Sequence, residues 1–83
     1  MSSLKARVYV TLKPSVFDPQ GRTVADALGS IGYSGVADVR QGKFFEVTLE
    51  GVSPEEAPKQ LEEMARRVLS NPVIESYRVE LVP

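Results

Sequence analysis

The sequence predicts an α+β domain of the ferredoxin-like kind, a single unit over residues 1–83 with element order β-α-β-β-α-β. Three observations predict it. Apolar and polar residues alternate near both ends of the chain, two inner stretches carry apolar residues at helical spacing, and Gln41-Gly42 joins two short extended runs between them. Two right-handed crossovers then place both helices on one face of a four-stranded antiparallel sheet. The opposite face is left for water or for another chain.

Leu4, Ala6, Val8, Val10 and Leu12 alternate with Lys5, Arg7, Tyr9, Thr11 and Lys13, the period of a strand with one buried face. Pro14 ends that strand. Asp18-Pro19-Gln20-Gly21 reads as a β-turn, with proline setting φ at its second position. Thr23 is placed to cap a helix with the apolar stripe Val24, Ala27, Leu28 and Ile31, and Gly32 is placed to stop it. After the Ser34-Gly35 turn, residues 36–40 and 43–50 read as a hairpin with Val39, Phe45, Val47 and Leu49 facing the core.

Ser53-Pro54-Glu55-Glu56 has the form of a capping box, and Ala57, Leu61, Met64, Ala65, Val68 and Leu69 supply the stripe of a second helix. Pro58 lacks an amide donor and crowds the carbonyl four residues back, so the regular helix is expected to begin a turn later. Asn71-Pro72 stops it. Residues 73–82 alternate again, with Tyr77, Val79 and Leu81 on one face. Tyr9, Thr11, Phe44, Thr48, Ile74 and Val82 fall on the second face of the sheet, among Lys, Arg and Glu residues. A face so divided predicts oligomerisation through the sheet, as a homodimer or a tetramer.

With 83 residues the chain is short, and a domain of that size buries only roughly 60–65% of its unfolded surface. A core this small rarely supplies more than about 3–5 kcal/mol without a staple. Cysteine and histidine are absent, which excludes disulfides, thiolate nucleophiles, Cys/His zinc sites and imidazole acid–base catalysis. No catalytic, cofactor-binding or metal-binding residue is expected. Ten basic and eleven acidic residues give a net charge of −1, so no long-range field favours nucleic acid or an anionic membrane. Apolar runs are short and Met1-Ser2-Ser3 leads directly into charged strand residues, so neither a membrane span nor a secretory signal is expected and the chain reads as cytoplasmic.

Glu55, Glu56, Glu62 and Glu63 fall at the start and on the outer side of the second helix, where they favour solvation over paired-carboxylate chemistry. Arg66 and Arg67 suit the C-terminal end of the same helix. No phosphate-loop spacing of glycines occurs, and Lys43-Phe44-Phe45-Glu46 lacks the glycines of an RNA-recognition strand. The loop after the first strand is different. Val16 and Phe17, held between Pro14 and Pro19, are apolar where solvation favours polar residues. They either cover the open edge of the core or, with Asp18 and Gln20, contact a partner chain.

Residues 10–21 (VTLKPSVFDPQG), 27–33 (ALGSIGY), 39–47 (VRQGKFFEV) and 71–77 (NPVIESY) together resemble the PurS family, the small subunit of phosphoribosylformylglycinamidine synthase. The resemblance runs over nearly the whole chain. It implies a complex with a synthetase subunit, PurL, and a glutaminase subunit, PurQ, which converts formylglycinamide ribonucleotide, glutamine and ATP to formylglycinamidine ribonucleotide, glutamate, ADP and phosphate. In that complex ATP and Mg are used by the large subunit and no cofactor by the small one, which bridges the other two and supports ammonia transfer in de novo purine biosynthesis. Phe17 stands where many members carry an aliphatic residue. Two other readings share the topology: a small-ligand regulatory module of the ACT type, and an acylphosphatase-like enzyme. The second needs an arginine-bearing phosphate cradle after the first strand, and this chain has Lys13-Pro14-Ser15 there and no arginine until Arg22.

Overall fold

The structure is a computed structural model describing residues 3–82; Met1, Ser2 and Pro83, the ends of the expected domain, lie outside the described residues. Its elements are β1 (Ser3–Leu12), α1 (Pro19–Ser30), β2 (Gly42–Glu50), α2 (Ala57–Met64), a π-helical turn (Ala65–Leu69) and β3 (Glu75–Val82). The three strands form one sheet in the order β2-β1-β3, with β1 antiparallel to both neighbours. Thus β2, α2 and β3 make a crossover unit with β1 inserted between its strands. Register follows the alternation: Ala6 lies between Val47 and Leu81, and Val8 between Phe45 and Val79.

That register turns Ala6, Val8 and Val10 toward α2, and all three are buried. Ala6 joins Leu49, Ala57 and Leu61 in one cluster, while Val8 and Val10 meet Ala65 in a second, with Val47 and Val79 packed against both. Small residues on the helix let it approach the sheet closely. As expected from Pro58, regular helix starts only at Ala57, and the amide of Glu56 donates to Ser53 Oγ at 3.3 Å.

The α+β class, the antiparallel pairing and the two helices hold, but three details differ from expectation. Residues 36–40 form no strand. The reason lies at the end of that segment, where Arg40 and Gln41 bond to the loop after β1 and not to the edge of β2. Second, α1 starts earlier than Thr23: Asp18 is its N-cap, Pro19 its first residue, and Thr23 Oγ donates to the Pro19 carbonyl. Its buried residues are Gly21 and Ala25, whereas Val24 and Ile31 are exposed, and no α1 residue belongs to either core cluster. The expectation that both helices cover one face of the sheet is therefore met by α2 alone. Gly32 does terminate α1, with φ of 109°.

Third, the second helix widens at its end. The amide and the hydroxyl of Ser70 both donate to the Ala65 carbonyl, at 2.9 and 2.7 Å, closing a five-residue turn. That turn keeps Ala65 buried but carries Val68 out of the expected stripe to 79% exposure. The radius of gyration is 16.4 Å, against roughly 12 Å for a compact domain of this length. The chain is a sheet-and-helix body with α1 set apart from it.

Candidate functional site

The loop of residues 13–18 begins where Pro14 ends the ladder. The amide of Val16 donates to the Lys13 carbonyl at 2.9 Å, which tightens the chain into a turn. Arg40 then fastens it: Nη2 donates to the carbonyls of Lys13 at 2.9 Å and Val16 at 2.7 Å. A planar guanidinium suits that double contact. Asp18, only 5% exposed, accepts from the amide of Gly21 at 2.8 Å and from the amide of Gln41 at 2.7 Å. One carboxylate therefore caps α1 and ties its start to the strand entering β2.

Those bonds lower the Asp18 pKa below its ordinary value of 3.8: the Gln41 amide does most, then the Gly21 amide, and Arg40 adds its charge. Gln41 Nε2 closes the group by donating to Gln20 Oε1 at 2.8 Å. Two glycines permit the close approach. A side chain on Gly21 would run into the Val39 carbonyl, and one on Gly42 into the Val10 carbonyl and Thr11.

The structure separates the four residues singled out by sequence. Phe17 is 70% exposed and Gln20 is exposed, so both side chains face solvent; Val16 is half-buried, with its carbonyl held by Arg40. Asp18 is buried and fully engaged within the chain. Arg40 and Gln41 complete the arrangement, and nothing local in the sequence marks them, because their partners lie more than twenty residues away. The apolar pair does not fold together over the core edge.

The outer sheet face carries a second constellation. Tyr9 packs on Phe44 with ring centroids 5.2 Å apart, and the Arg78 guanidinium lies 4.2 Å from the Tyr9 ring centre. Tyr9 Oη donates to Glu80 at 3.2 Å, and Glu80 also meets Arg7 and Arg78. On the inner side Tyr77 Oη donates to Glu62 at 2.7 Å, so Glu62, read from sequence as a solvated charge, links α2 to β3. That bond, with partial burial and the Glu62 charge, raises the tyrosine pKa. Among the described residues no group of His, Cys, Asp and Glu converges to hold a metal, and no helix is long and apolar enough to cross a membrane.

Comparison with known proteins matches residues 5–83 to the family described as PurS: phosphoribosylformylglycinamidine (FGAM) synthase. A phosphoribosylformylglycinamidine synthase subunit PurS from Synechocystis is 47% identical over 79 residues, covering 95% of this chain and 79% of the relative. The crystal structure of PurS from Bacillus subtilis superimposes with a TM-score of 0.85 at 46% identity, covering 96% of this chain and 99% of that one. A chain in the structure of PurLQS from Thermotoga maritima gives 0.89 at 28% identity, covering 99% of this chain and 100% of that one. These matches lend nothing to the regulatory-module reading. With the family model matched over residues 5–83 and close relatives along nearly the whole chain, it belongs to the PurS family of phosphoribosylformylglycinamidine synthase.

Proposed function

We propose that the chain is the PurS subunit of a phosphoribosylformylglycinamidine synthase and acts by surface and geometry, with no reacting group of its own. Family membership over residues 5–83 carries this reading. In it, PurL and PurQ are the partners, ATP and Mg belong to the synthetase subunit, and the complex works in the cytoplasm. Formylglycinamide ribonucleotide, glutamine and ATP give formylglycinamidine ribonucleotide, glutamate, ADP and phosphate. This chain bridges the two large subunits, as a homodimer or tetramer, and supports passage of ammonia between them. Its lack of histidine and cysteine is consistent with such a role.

Reconstitution tests the reading. PurL and PurQ are assayed for glutamine-dependent synthesis with and without this chain, and synthesis is expected to require it. Unchanged activity, with no co-migration on a sizing column, rejects it.

Within that role Val16, Phe17, Asp18 and Gln20 act as one contact element. Phe17 and Gln20 supply the exposed surface, while Asp18 and the Val16 carbonyl hold the loop in shape. A preformed loop loses little entropy on binding. Phe17→Ala is expected to weaken assembly while the circular dichroism of the isolated chain stays as it was. Normal assembly by this variant removes the contact role.

A further inference from the structure

We propose, resting on the accessory role set out above, that the turn of residues 71–74 is a second contact element of this chain. It docks together with the Phe17 loop on one large subunit, which receives both in an apolar recess with a carboxylate at its edge.

The strand register brings the parts to one place. Leu12, at the end of β1, lies beside Glu75 at the start of β3, and Thr11 lies beside Gly42 at the start of β2. The loop after β1, the segment before β2 and the turn before β3 therefore share one end of the sheet.

That last turn is built from its own hydrogen bonds. The Asn71 carbonyl accepts from the amides of Ile74 at 3.1 Å and Glu75 at 2.7 Å, and Asn71 Oδ1 accepts from the amide of Val73 at 3.1 Å. Glu75 closes it from the other side: Oε1 accepts from the Asn71 amide at 2.6 Å, and Oε2 meets Lys43 Nζ at 3.5 Å. Pro72 fixes one more backbone angle. So stiff a turn holds an apolar side chain out in water. Val73 is 77% exposed, Ile74 is 38% exposed, and neither belongs to a core cluster. Folding makes no use of Val73, whereas recognition can, because a branched side chain on a fixed turn has little freedom left to lose on binding.

The turn is fastened to the Phe17 loop through one residue. The Lys13 amide donates to the Ile74 carbonyl at 2.9 Å, while the Lys13 carbonyl accepts from the Val16 amide and from Arg40. A partner that meets one apolar projection therefore finds the other at a set place. Charge narrows the choice of partner. Among the described residues Lys13 takes part in no ion pair, so a carboxylate on the facing surface complements it. A two-fold contact between copies through this end would bring like lysines toward each other, which favours a large subunit over a second copy as the occupant.

The complete complex provides the test. The photo-cross-linking residue p-benzoylphenylalanine replaces Phe17 in one variant and Val73 in another, each is assembled with PurL and PurQ, and the complexes are irradiated. Both variants are expected to label the same large subunit. Label from position 73 on a second copy of this chain, on the other large subunit or on nothing overturns the proposal. Val73→Asp puts a charge into the recess. The concentration of this chain that gives half-maximal glutamine-dependent synthesis is expected to rise about tenfold or more, with an unchanged rate at saturation. The oligomeric mass and circular dichroism of the isolated variant are expected to match those of the parent. An unchanged half-maximal concentration, or a loss that follows an altered mass or dichroism, overturns the proposal. The parent chain runs in the same assay: if it fails to support synthesis, the accessory role is rejected and this contact with it. A working parent beside an unaffected Val73→Asp variant rejects the second contact alone.

Discussion

The two helices of this chain end in opposite situations. α2 is short, lacks a side-chain cap bond and holds a proline in its first turn, yet it buries Ala57 and Leu61 against the sheet. α1 is longer, well capped by Asp18 and stopped by a left-handed glycine, yet it covers none of the core. Local capping decides where a helix starts; burial decides whether it belongs to the body. In α2 burial dominates, and in α1 polar bonds at one end do.

The largest test of that contrast is Leu61→Ala. Leu61 is fully buried, so its truncation is expected to cost about 2–5 kcal/mol in urea unfolding. With a core this small, most of the folded population is lost. A change under about 1 kcal/mol, the level of a surface substitution, would contradict the assignment of the core to α2.

Gly21→Ala strikes the other region. Its added carbon would meet the Val39 carbonyl and the Asp18 carboxylate, and forced contacts of this kind cost about 1–3 kcal/mol. The loss is expected to be local: amide exchange should speed up in residues 13–30 while β1 and β3 keep their protection. Uniform acceleration would mean that α1 and the sheet unfold as one.

Acid sharpens the comparison further. Because the folded-state pKa of Asp18 lies below its ordinary value of 3.8, the carboxylate's contribution is complete above that value and disappears as pH falls through it and below. The start of α1 is therefore expected to loosen in strong acid, read by exchange at Gly21 and Gln41. Asp18→Asn should remove the dependence; if it persists, another carboxylate controls the loop.

The smallest effect belongs to Tyr77→Phe. It deletes the bond to Glu62 that joins α2 to β3, and a slight fall in melting temperature is expected. The raised pKa of Tyr77 gives the sign with pH: its contribution is present below the ordinary tyrosine value of 10.0 and is lost as pH rises through the higher folded-state value. A Tyr77→Phe chain that matches the parent at neutral pH would show that the bond holds no stability there.

Much of the sheet half was legible in the sequence. Strict alternation from Leu4 to Leu12 names the buried Ala6, Val8 and Val10, and Pro58 correctly delays α2. The loop half was legible only in part. Phe17 stood out as an apolar residue with no local use, but Asp18 looked equally available for contact and is buried, because its second partner, Gln41, is 23 residues distant. The same distance hid the reason why residues 36–40 fail to pair as a strand. Val68 was misplaced for a different reason: the Ser70 bonds that widen the turn break the 3.6-residue period.

By itself, then, the sequence determined the α+β class, the antiparallel alternation, the sites of helix interruption and the exclusion of His- or Cys-based chemistry. These follow from nearest-neighbour preferences and from composition. Only the tertiary structure decided that the described residues form a three-stranded sheet, that Asp18 ties the start of α1 to Gln41, and that α1 stands away from the body. Each of these depends on hydrogen bonds from Arg40 and Gln41 to groups far away in the chain, and a bond between distant residues leaves no periodic trace in the sequence.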